Sequence, residues 1–228
     1  MFYFDYYYLV LVVPAAILSF LAQLKVKSSF AKYSRIPTKA GITGREMAEK
    51  LMLSSDVRGV RVSAIQGSLT DHYDPSSKVL RLSEPVFNKT SVAAVGVAAH
   101  EMGHAIQDKI GYAPLVLRST LVPVANIGSS LGPTMAFAGL FFSISILINV
   151  GIILFSGAVL FYLITLPVEI DASRRALKIL QGTSLLTDEE LKGVRSVLTA
   201  AAFTYVASAL TALASLIRLI LLARNRRD

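Results

Sequence analysis

Hydrophobic and polar positions fall in long blocks along this chain. From Tyr6 to Leu24 ("YYYLVLVVPAAILSFLAQL") no side chain is charged. That run is close to the roughly 20 residues a helix needs to cross a bilayer core. A second uncharged run extends from Ser119 to Val168. At about 50 residues it is long enough for two spans of about 20 residues each. It predicts a hairpin of two spanning helices, turning near Asn149 to Gly151. One buried core helix of that length is excluded by ordinary helix lengths. Pro123 and Pro133 predict kinks in the first arm. The third run, Val197 to Ala223, is apolar except for Arg218 and leads into "RNRRD". It reads as a fourth span with Arg218 snorkelling to an interface, or as a tilted, half-inserted helix.

The blocks between these runs carry shorter periods. "TGRE" (Thr43 to Glu46) has the pattern of a capping box, so a helix is expected through "REMAEKLML". "VRGVRVSAI" (Val57 to Ile65) and "KVLRLS" (Lys78 to Ser83) are β-branched or alternating and predict strands. "DHYDPSS" between them has turn chemistry. "TSVAAVGVAAHEMGHAIQDK" has a hydroxyl start and a long body of small apolar residues, which predicts a helix. The expected architecture is an α-helical membrane protein with three or four transmembrane helices and one small α+β domain. The spans are 6–24, the hairpin 119–168 and the region 197–223. The domain combines 25–118 with 169–196.

Composition agrees and adds an orientation. The chain is 54% hydrophobic and 17% charged, with a mean hydropathy of +0.57. Its net charge is +8, from 23 basic and 15 acidic residues. The basic residues flank apolar runs, which points to membrane anchoring and away from nucleic acid. Lys25, Lys27, Lys32, Arg35 and Lys39 follow the first run, and no Lys or Arg precedes it. That is not the charge pattern of a signal peptide. It predicts a first helix whose C-terminal end is cytoplasmic, with the N-terminal tyrosines at the opposite interface. The chain has no cysteine, which removes disulfides and thiolate ligands.

Candidate chemistry sits in "HEMGH". A step of four residues in a helix turns about 400° and rises about 6 Å, so His100 and His104 share a face and can reach one metal ion. Glu101 is placed to address a water rather than the ion. Zinc acidifies such a water towards a pKa of about 7, and a carboxylate can then accept its proton. Zinc needs a third protein ligand, and the candidates are His72, Asp108 and the remaining carboxylates. Asp108, one turn beyond His104, is better placed behind the ligands than among them. Glu169 follows the hairpin directly, and a hairpin returns the chain to the side it left. A carboxylate at the end of a span is costly without a partner. Alternatively, Glu169 and Asp171 merely favour the positive end of a helix dipole. His72 lies beside Asp71 and near Asp74 in turn chemistry, so it is either a local hydrogen-bonding residue or a substrate contact. Arg174 and Arg175 are candidates to polarise a carbonyl or to meet lipid head groups.

"HEMGH", the inserted hairpin, "LPVEIDASRRAL" and the upstream "LTDHYDPSSKVLRLS" together resemble the YugP-like family of neutral zinc metallopeptidases. More widely they are similar to the membrane gluzincins typified by HtpX. The resemblance covers nearly the whole chain. It implies a gluzincin-like domain holding one zinc ion on His100, His104 and Glu169, with Glu101 as catalytic base. Relatives often carry Asp four residues after the ligand glutamate. Here that position is Ser173, and the nearby acid is Asp171. The implied protein is an integral protein of a bacterial cell membrane, with its site at the cytoplasmic face and a protein or peptide substrate.

Three functional classes follow. The first is a zinc endopeptidase acting on membrane-associated chains near the cytoplasmic surface. The second is a zinc-binding scaffold or sensor without turnover. The third, an intramembrane-cleaving protease, is disfavoured because the motif helix is too polar to span. A channel or transporter is disfavoured by a hairpin with no charge to mark a pathway. A peptidase must also hold an extended backbone, and "KVLRLS" is the expected edge strand for it, with Leu80 and Leu82 towards the core and Val79 and Arg81 away.

Overall fold

The structure is a computed structural model that describes residues 5–225. It contains two compact units, one of residues 24–115 with 168–203, the other formed by the described parts of 1–23, 116–167 and 204–228.

The first unit holds most of the polar blocks. Its α2 (Gly44–Ser54) begins where the Thr43 hydroxyl oxygen accepts from the Glu46 amide and the Glu46 carboxylate accepts from the Thr43 amide, the expected capping box. The sheet has three strands, β1 (Arg61–Ile65), β2 (His72–Asp74) and β3 (Val79–Ser83), in the order β1-β3-β2. β3 pairs in parallel with β1 and antiparallel with β2. A short α3 (Glu84–Phe87) leads to the motif helix α4 (Val92–Lys109). The Ser91 hydroxyl caps α4 by accepting from the Ala94 amide. Met47 and Leu51 of α2, Leu80 and Leu82 of β3, and Met102 of α4 are fully buried in one core.

Two expectations change here. "DHYDPSS" contains a strand as well as a turn, because His72 to Asp74 pair with Val79 to Arg81. The strand "KVLRLS" is central, paired on both sides, and Val79 is buried along with Leu80 and Leu82. It therefore has no free edge to offer a substrate.

The second unit is apolar. Among the described residues three helices are long and apolar enough to cross a membrane: α1 (Val13–Tyr33) with its π-helical lead Tyr8–Val12, α6 (Ser145–Thr183) and α7 (Asp188–Arg224). There are four if α4 and α5 (Ala113–Phe142) are counted together as one bent span. The hairpin turns at Ser143 and Ile144 between α5 and α6, nearer the N-terminus than expected, with Ser143 at φ +64. Gly151 lies inside α6, where a Cβ would sit 2.5 Å from the Ala136 amide nitrogen and 2.6 Å from the Gly132 carbonyl oxygen. Its lack of a side chain serves helix contact rather than a turn. α5 runs as one helix through both Pro123 and Pro133.

Arg218 has its partner within the apolar unit. It is buried, and its Nε and Nη2 donate to Asp5 Oδ2 at 2.9 and 2.6 Å. Its guanidinium also lies over the rings of Tyr8 and Phe137. The last three residues of the basic tail lie outside the described residues.

Candidate metal centre

The site is built where α4 meets α6. Helical spacing puts His100 and His104 on one face of α4, with ring centroids 4.8 Å apart. Glu169 lies on α6. Its Oε2 is 3.2 Å from His100 Nε2 and 3.5 Å from His104 Nε2. One ligand atom from each of the three residues falls within 4.8 Å of the others. Gly103 allows the approach: a Cβ there would lie 2.4 Å from the Ala172 carbonyl oxygen. The two helices touch backbone to backbone between the ligands they carry.

Electrostatics separates the two glutamates. Burial alone would raise the Glu169 carboxyl, but hydrogen bonds and charge from His100 and His104 outweigh it and the net shift is downward. Glu101 is buried, and burial pushes it up to about 7. His100 opposes that rise, Glu169 and Asp71 add to it, and the backbone amide of Tyr73 on β2 also opposes it. Asp71 is itself fixed at the sheet end, accepting from the Ser83 amide at 2.7 Å and the Ser83 hydroxyl at 2.8 Å.

The other residues singled out in the sequence divide between the site and its surroundings. Ser173 Oγ lies 3.1 Å from His100 Nδ1, behind that histidine. Asp171 reaches His104 through an intermediary, Gln107: Asp171 Oδ2 accepts from Gln107 Nε2 at 2.8 Å, and Gln107 Oε1 lies 3.0 Å from His104 Nδ1. Arg175 Nε donates to the same Asp171 oxygen. Arg174 is exposed. Asp108 turns to the sheet, where it accepts from the Tyr73 hydroxyl and from Lys78 Nζ. His72 is exposed on β2, with Nδ1 2.8 Å from the Thr70 carbonyl oxygen and Nε2 3.3 Å from Arg81 Nη1. That is local hydrogen bonding. Sequence reasoning misses Gln107; its place three residues after His104, on the same helix face, is the available signal.

Two imidazole nitrogens and one carboxylate oxygen form a donor set suited to zinc with a position left open for a substrate. The donor chemistry of this cluster therefore fits the ion.

A model of the family described as "Putative neutral zinc metallopeptidase" matches residues 8–224. The chain is 46% identical over 221 residues to the "Putative membrane protease YugP" of Bacillus subtilis (strain 168), covering 97% of this chain and 98% of that protein. No solved structure matches it.

Proposed function

The chain belongs to this family of neutral zinc metallopeptidases, and from that premise we propose that it is a membrane-embedded zinc endopeptidase of the gluzincin type. It hydrolyses peptide bonds of membrane-associated proteins near the cytoplasmic surface of a bacterial membrane. The observation that carries this reading is the meeting of Glu169 with both motif histidines across two helices. His100, His104 and Glu169 hold one zinc ion. When bound, zinc supplies a Lewis acid that polarises the scissile carbonyl and acidifies water.

Glu101 is the general base. Its burial lifts its pKa to about 7, which suits both taking a proton from the attacking water and passing it to the leaving nitrogen. Gly103 and Ser173 hold the ligands in place without touching the substrate. The sheet's outer strand beside Glu101 is β2, and its side away from β3 is the edge along which an extended substrate backbone lies. The cytoplasmic orientation rests on the basic residues that follow the first apolar run.

Metal content and casein hydrolysis of detergent-purified protein test the assignment. Glu101→Gln should keep zinc and lose hydrolysis, because an amide cannot accept the proton. Glu169→Ala should lose most of the zinc as well. Equal zinc in wild type and Glu169→Ala would remove Glu169 from the ligand set. Wild type that binds zinc and cleaves nothing would favour the scaffold or sensor. Cysteines placed at Lys32 and Arg175 should resist an impermeant thiol reagent in intact cells; ready labelling at either would overturn the orientation.

A further inference from the structure

Gln107 is fully buried one turn beyond the metal ligand His104. Its amide nitrogen faces two oxygens that can only accept, the Val168 carbonyl and the Asp171 carboxylate, each at 2.8 Å. A flipped amide would set oxygen against oxygen at both contacts, so the orientation is fixed by its surroundings. Gln107 Oε1 must then face His104 Nδ1, 3.0 Å away. An amide oxygen cannot donate, so Nδ1 must carry the proton. The lone pair of His104 is thereby left on Nε2, the nitrogen that points to Glu169.

The same side chain acts on the other helix. Val168 immediately precedes Glu169, so holding its carbonyl fixes the backbone from which the third ligand projects. His100 is held differently. Its Nδ1 meets the Ser173 hydroxyl, which can donate or accept and so permits either tautomer.

We propose that Gln107 is a positioning residue for zinc, imposing the tautomer of His104 and setting the height of Glu169 through the Val168 carbonyl. The proposal rests on His104 being a zinc ligand. It accounts for a fully buried amide whose polar atoms all meet partners on the zinc helix or on the helix of the third ligand. Residues behind metal ligands are commonly worth about 10- to 100-fold in metal affinity. Ser173, which imposes nothing, should be worth less.

The test is zinc affinity of the full chain in detergent, by competition with a chromophoric chelator, with helix content and thermal unfolding recorded in parallel. Gln107→Leu should bind zinc about 10- to 100-fold more weakly, and Ser173→Ala should lose less. Gln107→Glu keeps an acceptor for His104 but sets a carboxylate against Asp171, and should weaken binding as well. Adding Asp171→Asn gives that contact a donor again and should recover much of the affinity. A side chain that only filled space would show no such rescue. Folded Gln107→Leu with wild-type affinity would overturn the proposal. If Gln107→Leu fails to fold, the double variant decides: recovered affinity supports the proposal, and affinity no better than Gln107→Glu overturns it. Wild type that binds no zinc would defeat the metallopeptidase reading itself. Wild type that binds zinc while Gln107→Leu binds it equally defeats only the role of Gln107.

Discussion

The two units hold a carboxylate in different company, Asp5 half-buried and Glu169 buried. In the apolar unit Asp5 meets the guanidinium of Arg218, a group that only donates. In the other unit Glu169 meets His100 and His104, whose rings can donate a hydrogen bond or offer a lone pair to a metal. The first arrangement is closed, because a guanidinium has no lone pair to offer a metal. The second can be opened, because the same three ligand atoms lie within 4.8 Å of one another and could hold one divalent ion. A paired carboxylate thus indicates structure or chemistry according to whether its partner can also offer a lone pair to a metal.

The largest effect is expected in the closed pair. Asp5→Ala leaves Arg218 buried without its carboxylate, which should cost about 3–5 kcal/mol of stability. Zinc affinity of the protein that remains folded should be unchanged. Replacing both partners, Asp5→Leu with Arg218→Met, should restore most of the lost stability, since matched apolar groups often substitute well for a buried pair. Thermal unfolding in detergent and zinc titration read both quantities. A fall in zinc affinity with Asp5→Ala would mean that the pair is not a purely structural device.

Gly103→Ala should come next. Its new Cβ would lie 2.4 Å from the Ala172 carbonyl oxygen, a backbone atom that cannot rotate away. Overpacking of this kind costs about 1–3 kcal/mol, and here it also separates the helices that carry the ligands. Zinc binding should be lost even where the chain folds. Gly182→Ala is the control, because a Cβ there meets nothing within 4 Å. Intact zinc binding in Gly103→Ala would show that the centre tolerates helix displacement.

Removing the metal gives a smaller and reversible change. Zinc at a hundred times its dissociation constant should stabilise the folded chain by about 2.7 kcal/mol relative to chelator. The shift should vanish in Glu169→Ala and survive whole in Asp5→Leu/Arg218→Met. A zinc-dependent shift that persists in Glu169→Ala would place the ion elsewhere.

Features governed by neighbours in sequence are legible in the chain itself. The capping box at Thr43, the motif helix and the uncharged runs each follow from short-range chemistry. Hairpin topology suggests the return of Glu169 to the side of the histidines, and the family resemblance implies its place among the ligands. Features that depend on distant partners are not legible there. β2 is only three residues long and is defined by pairing with β3. Gly151 resembles a turn residue until Ala136 and Gly132 are placed against it. Arg218 finds a partner at the other end of the chain, in Asp5. Gln107 gains meaning only once Val168 and Asp171 are beside it. In each case a residue's role is set by groups far away in sequence, which periodicity and spacing do not encode.

Asp108 gives the smallest expected effect and the finest discrimination. It follows Gln107 directly, and on spacing alone it is the better candidate to stand behind His104. In the structure the two neighbours diverge: Gln107 turns to His104 and to α6, while Asp108 accepts from the Tyr73 hydroxyl and the Lys78 ammonium on the sheet side. Asp108→Ala removes one charge-assisted hydrogen bond and one half-exposed ion pair, so a stability loss of about 1.5 kcal/mol is expected. Tyr73 lies on β2, and its backbone amide faces Glu101, so the loss falls on the strand beside the base rather than on the metal. Zinc affinity should therefore stay at the wild-type value, and any effect on hydrolysis should appear in KM. The same measurements on Gln107→Leu should show the reverse, with zinc affinity reduced. If Asp108→Ala weakens zinc as much as Gln107→Leu does, then Asp108 acts on the metal site after all, and the division between neighbouring residues is wrong.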